Sequence, residues 1–205
     1  MGYGLALHTT SPELGVAIAL PNGTIRHSTW YLERDLMQYL HLHLQQALQP
    51  QTWSDLDWLA VAIGPGSFTG TRLGVVTART LAQQLDIPLV GVSSLAAYAW
   101  WLWGQQPHLP DTIAVQMPAQ RGQVFAGIYQ RKTGLHTHLA DTLISLDSWR
   151  SHLSDIQAIY ELCEVPVNLG MTTPSLLELG RHQLASGPLH PWAAVLPFYG
   201  RHPVD

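Results

Sequence analysis

Charge is scarce in this chain of 205 residues: Asp, Glu, Lys and Arg together make up 12% of it. The formal net charge is -4, so no global basic field draws nucleic acid by counterion release. Cysteine is nearly absent. Cys163 stands alone, which excludes an intrachain disulfide and any multi-cysteine zinc site and suits a reducing compartment. No uninterrupted apolar run approaches the ~20 residues that span a bilayer, and the N-terminus lacks a basic-then-apolar signal pattern. The expectation is a cytoplasmic protein with no membrane association. Lysine is missing from Gly64 to Gln84, a glycine-rich stretch, and that absence excludes a Walker A loop.

What is present is apolar. Hydrophobic residues are 46% of the sequence, enough for a large single domain or two small lobes with a real core. Strands are expected at Tyr3 to Leu7, Gly15 to Leu20 and Thr24 to Tyr31, with Pro21-Asn22-Gly23 as a hairpin turn. Leu36, Leu40, Leu44 and Ala47 recur at helical spacing between Leu32 and Leu48. A strand at Leu59 to Ile63, a helix from Thr71 to Leu85, a strand at Ile87 to Val92 and a helix ending at Gly104 follow. Gln105 to Asp111, with two prolines, reads as a linker.

This β-β-β-α-β-α-β-α order implies an α/β lobe of the ribonuclease-H-like kind, the unit of the actin, sugar-kinase and Hsp70 superfamily. Strands at Ile113 to Met117, Gln123 to Gln130 and Leu135 to Leu139 begin the pattern again. A short helix at Ser145 to Leu153 continues it, then strands at Ile156 to Tyr160 and Val165 to Leu169, and a helix at Thr173 to Ser186 that Gly187-Pro188 ends. The expected organisation is a first lobe over residues 1–105 and a second, truncated lobe over 106–205. The latter closes in an irregular tail from Leu189 that includes Pro191, Pro197 and Pro203.

The glycine-rich stretch admits two chemistries. Gly64-Pro65-Gly66 breaks a strand ahead of a helix, the arrangement that presents backbone N–H groups to a phosphate, so Gly64, Gly66 and Arg72 are candidate nucleotide contacts. A dinucleotide register fails because Thr69 occupies the third glycine position. Gly70, Gly74, Ala78 and Ala82 recur every four residues and form a smooth helix face onto which another backbone can close. That face packs either on its own lobe or on a partner helix. In the second case Gly70, Gly74, Ala78 and Ala82, with Leu36 and Leu40 of the preceding helix, form a partner interface. Gly74→Leu is then expected to abolish a complex and leave the fold intact.

Gly64-Pro65-Gly66-Ser67-Phe68-Thr69-Gly70-Thr71-Arg72-Leu73-Gly74 resembles the signature of the bacterial TsaB (YeaZ) family, GPGSFTG-x-R-x-G. The first strand running into Thr9-Thr10-Ser11 and the later Ile87-Pro88-Leu89-Val90-Gly91-Val92-Ser93-Ser94-Leu95 agree with it, and the resemblance covers Met1 to Ala99 best. It implies an actin-like ATPase fold and a part in making threonylcarbamoyladenosine on tRNA. It also implies a non-catalytic role beside the catalytic subunit TsaD, with the ATPase TsaE joining the assembly and a homodimer as a further possibility. Contact with tRNA is then indirect, no cofactor belongs to the isolated subunit, and ATP or ADP enters at the level of the complex.

Two departures bear on chemistry. The family usually carries Asp where this chain has His8, and a neutral imidazole is a poor substitute for a carboxylate beside metal and phosphates. A family pattern Asp-Ala-Arg-x-Gly-Glu-Val-Tyr reads here Pro118-Ala119-Gln120-Arg121-Gly122-Gln123-Val124-Phe125, with its Asp, Arg and Glu replaced by uncharged residues.

Histidine pairs give no metal site. His41 and His43 point apart on a helix, and His136 and His138 share a strand face without a nearby carboxylate or cysteine. TsaD binds metal through a His-x-x-x-His pair on its first long helix, which is absent here. Trp100, Trp101 and Trp103 fill a seam between lobes or form an interface, and Cys163 reads as a small core residue. No Gly-x-Ser-x-Gly elbow supports a peptidase. The leading reading is therefore a non-catalytic partner subunit with no catalytic residue. The alternative is an ATP-dependent phosphotransfer enzyme of the actin-like superfamily.

Overall fold

The computed structural model describes residues 2–186, 191–198 and 200. The expected helix stop at Gly187-Pro188, the start of the tail at Leu189 and Pro203 lie outside the described residues. The chain divides into two compact units, one running up to Ser94 and taking in Val167–Phe198, the other built on Leu95–Pro166.

In the first unit β1 (Tyr3–His8), β2 (Glu13–Ala19) and β3 (Ile25–Tyr31) form an antiparallel meander. Next, β4 (Leu56–Ala62) runs parallel to β1 and β5 (Leu89–Val92) parallel to β4, so the sheet order is β3-β2-β1-β4-β5. Period-two alternation sorts its faces by size. Leu5, Leu7, Val16, Ile18, Leu59 and Val61 meet Leu36, Leu40, Leu44 and Leu48 of α1 (Leu36–Leu48) and Val75, Ala78 and Ala82 of α2 (Phe68–Leu85) in one core. Gly4, Ala6, Ala17, Ala19 and Ala60 alternate with these. Their small side chains let α5 (Thr173–Ser186) lie close, and a Cβ on Gly180 would stand 3.1 Å from the Trp58 ring and 3.3 Å from Ala60.

That placement corrects the expected boundary at residue 105. α5 packs on β1, β2, β4 and β5 because a sheet with parallel strands at its centre must be covered on both faces. The connection is fixed by Leu169 N–H donating to Ser11 Oγ at 3.1 Å and Gly170 N–H donating to Glu13 Oε2 at 3.1 Å.

The second unit opens on α3 (Ser94–Gln105) from Leu95 onward and repeats the meander as β6 (Thr112–Pro118), β7 (Gln123–Arg131) and β8 (Leu135–Ser145). α4 (Leu146–Ser154) then leads to β9 (Tyr160–Glu164), parallel to β6, in the order β8-β7-β6-β9. Trp149 of α4 is buried over Ala114, Val124, Ala126 and Ile128, its Nε1–H donating to Gln116 Oε1 at 2.7 Å. The two strands expected at Ile156 to Tyr160 and Val165 to Leu169 are one strand lying between them. Pro166 supplies no N–H to continue a ladder, and from Val167 the chain belongs to the first unit. β8 is longer than expected, reaching Ser145.

Candidate functional site: the glycine turn and the helices behind it

The turn between β4 and α2 is set by its backbone. Gly64 has φ +100°, a conformation that L side chains rarely adopt. Ser67 caps the helix, accepting from Gly70 N–H at 3.2 Å, so α2 begins at Phe68, three residues before the expected start. Ser67 N–H donates to Thr10 O at 2.7 Å, and Thr71 N–H donates to Ser67 O at 2.8 Å. Space is occupied as well as hydrogen-bonding capacity. A Cβ on Gly66 would sit 2.2 Å from Thr10 O. Three amides of the turn, those of Ser67, Gly70 and Thr71, already donate within the protein and are not available to a phosphate at Gly64 and Gly66. Arg72 points outward, its guanidinium over the Phe68 ring at 4.2 Å from the centroid.

The smooth face of α2 is likewise turned inward. Gly70, Gly74, Ala78 and Ala82 are buried; a Cβ on Gly70 would lie 2.1 Å from Thr9 O, and one on Gly74 2.0 Å from Thr9 Oγ1. Thr9 Oγ1 donates to Gly70 O at 2.8 Å across this contact. The glycines exist so that the end of β1 can pass against the helix. Leu36 and Leu40 are buried in the same core. All six are buried and so do not form an exposed surface by themselves, although Leu36 and Gly70 also line the groove between the starts of α1 and α2.

His8 ends β1 fully buried, and neither ring nitrogen has a hydrogen-bond partner among the described residues. Burial disfavours the imidazolium and lowers its pKa to about 3. His8 is therefore neutral and supplies no negative charge at the end of β1. Among the described residues no group of three His, Cys, Asp or Glu side chains is placed to hold a metal.

The outward side of the same two helices carries exposed apolar side chains. Met37 on α1 is 67% exposed, and Phe68 and Val76 on α2 are 56% and 58% exposed. A groove of ≈ 430 Å³ runs between the helix starts, lined by Met37, Leu73, Thr69, Pro12 and Ser11 with Glu33 and Arg34 at its rim. The small-residue stripe does not point to these side chains, but the helical wheel does: Val76 lies opposite Gly74, Ala78 and Ala82, and Met37 falls outside the Leu36, Leu40, Leu44, Leu48 stripe.

The remaining candidates have local roles. His43 stacks on Trp30 with ring centroids 4.5 Å apart, and His138 shares a 2.9 Å hydrogen bond with Gln130 Oε1. Trp103 is buried and donates through Nε1–H to Pro110 O at 2.8 Å, with Trp100 edge-on to it at 6.3 Å. Cys163 is half-buried rather than buried, and burial, aided by Glu161, pushes its thiol up to about 11. That disfavours the nucleophilic thiolate. No helix among the described residues is long and apolar enough to cross a membrane.

A family model described as TsaD, tRNA N6-adenosine threonylcarbamoyltransferase, matches residues 32–167. A relative from Bacillus subtilis (strain 168), tRNA threonylcarbamoyladenosine biosynthesis protein TsaB, is 36% identical over 157 residues, which are 74% of this chain and 66% of that one. The protein of the same description from Escherichia coli (strain K12) is 31% identical over 129 residues, 62% of this chain and 54% of that one. The matches thus span just under two thirds of the first relative and about half of the second. A crystal structure from Pseudomonas aeruginosa, of a protein with similarity to peptidase YeaZ, shares the fold at a TM-score of 0.82 and 22% identity, covering 98% of this chain and 100% of that one. YeaZ of the same organism gives 0.79 at 21%, over 97% and 100%.

Fold and site together define a two-lobed α/β protein of the ribonuclease-H-like fold, with four strands in the second sheet against five in the first among the described residues and its glycine turn closed against the end of β1. The chain belongs to the TsaB (YeaZ) family.

Proposed function

We propose that the chain is a non-catalytic partner subunit in the formation of threonylcarbamoyladenosine on tRNA. It docks on the TsaD catalytic subunit through the outward faces of α1 and α2. The observation that carries this reading is the exposed apolar surface of Met37 on α1 and of Phe68 and Val76 on α2, with a groove between the helix starts that Met37 and the half-buried Leu73 help to line; exposed apolar surface of this kind marks interaction sites. The TsaB names of the relatives supply the pathway. In this reading TsaE and ATP or ADP act at the level of the complex, a homodimer is a second assembly of the same chain, tRNA is met only indirectly, and the setting is the cytoplasm. The rival, a phosphotransfer enzyme, has to place phosphate at a turn where the Ser67, Gly70 and Thr71 amides already donate within the protein, and a cation beside a neutral, buried His8.

Depletion of the chain from its host, followed by mass spectrometry of tRNA nucleosides, tests the reading. Threonylcarbamoyladenosine should fall and be restored by the wild-type gene but not by a Met37→Asp/Val76→Asp version. Unchanged modification after depletion would overturn it.

A further inference from the structure

The two sheets carry one topology to different lengths. β9 stands beside β6 as β4 stands beside β1, parallel and at the same place in the order, but among the described residues the second sheet has no counterpart of β5. The outer side of β9 is an open edge. Its backbone directions follow from the register. Val165 N–H donates to Gln116 O at 2.9 Å, so by the two-residue alternation Cys163 and Glu161 also face β6, while Tyr160, Leu162 and Glu164 turn their N–H and C=O groups outward. The Glu164 carbonyl accepts from the Tyr98 hydroxyl at 3.2 Å. The outward groups of Tyr160 and Leu162 have no partner among the described residues.

Edges are ordinarily blunted by charge, proline, a bulge or short length. The five-residue strand β9, Tyr-Glu-Leu-Cys-Glu, has no proline, lysine or bulge, and its only charges are the carboxylates of Glu161 and Glu164. Around it Ile159 is 84% and Leu162 44% exposed. Glu161 and Glu164 are exposed too, and neither joins an ion pair among the described residues.

Those carboxylates select the occupant. A second copy pairing antiparallel about Leu162 would bring the two Glu161 side chains diagonally across one face, roughly 7 Å apart, where the two carboxylates repel and no opposite charge stands between them. A basic strand reverses the sign. We propose that β9 accepts an extended segment of a partner protein by strand addition. That segment carries Lys or Arg opposite Glu161 and Glu164 and an apolar residue opposite Leu162, and it takes the place that β5 takes in the first sheet. The basic residues are three positions apart, as the register requires. This inference goes beyond the docking of α1 and α2 and does not depend on it.

The test uses the full chain and two peptides, Thr-Lys-Val-Val-Lys-Thr and Thr-Glu-Val-Val-Glu-Thr, each blocked at both ends and suited to either strand direction. Amide hydrogen exchange at Tyr160 and Leu162 should slow several-fold with the lysine peptide and stay unchanged with the glutamate one. Leu162→Pro removes an outward donor while sparing the ladder to β6, and it should abolish the effect. Glu161→Lys/Glu164→Lys should reverse the peptide preference, and it carries the test if the proline variant fails to fold. Equal slowing by both peptides, or none at saturation, overturns the proposal. So does slowing without peptide that grows with protein concentration alongside a dimer, which would make the occupant a second copy.

Discussion

His8 and Gly74, both buried, show at the scale of single residues how closely the end of β1 and the helix α2 are enclosed. His8 is neutral when folded, with a pKa lowered to about 3 by burial, whereas an unfolded chain protonates its histidines near 6.5. Between those values the unfolded state binds more protons, so His8 makes stability rise with pH. Its contribution is fully present above about pH 6.5 and drains away as pH falls toward 3, amounting to about 2 kcal/mol lost by pH 5. Urea melts from pH 7 to 5 should show that loss in the wild type, and His8→Phe should flatten it. Gly74→Ala should cost about 1–3 kcal/mol by overpacking, because its Cβ would meet Thr9 Oγ1 at 2.0 Å. Adding Thr9→Ala should recover part of that loss in chemical denaturation. The glycine stripe was legible as a place of close approach. What approaches it was not, since helical spacing shows which residues share a face but not whether that face is turned to the core or to solvent.

Elements follow the same division. α2 is amphipathic with a small-residue inner face and Val76 at the centre of its outer one, so Val76→Asp should shift stability by no more than about 0.5 kcal/mol in a thermal melt. Binding of TsaD should be lost in the same variant. The helices at Leu36, Phe68 and Thr173 were legible from apolar spacing, capping residues and length. β9 was misplaced because both flanking segments are rich in β-branched residues, and the choice among them is made by pairing with β6 and by Pro166, neither of which periodicity weighs. The destination of α5 was invisible in its own sequence. It could be inferred from the small residues on β1, β2 and β4, which leave room for a helix to lie close.

For the whole molecule, strand order revealed two lobes, while the return of Val167–Phe198 to the first of them emerges from the folded chain. A fragment of residues 1–105 lacks α5 and exposes the small-residue face of its sheet; it should bind a hydrophobic dye and melt without cooperativity. The most direct measurement on the intact protein is a pair of calorimetric titrations. The chain is titrated into the TsaD-family catalytic subunit of the same organism, and ATP–Mg is titrated into the chain alone. The partner-subunit reading predicts a defined complex with TsaD, lost in Met37→Asp/Val76→Asp, and no binding of ATP–Mg. ATP–Mg binding with turnover and no complex with TsaD would contradict it.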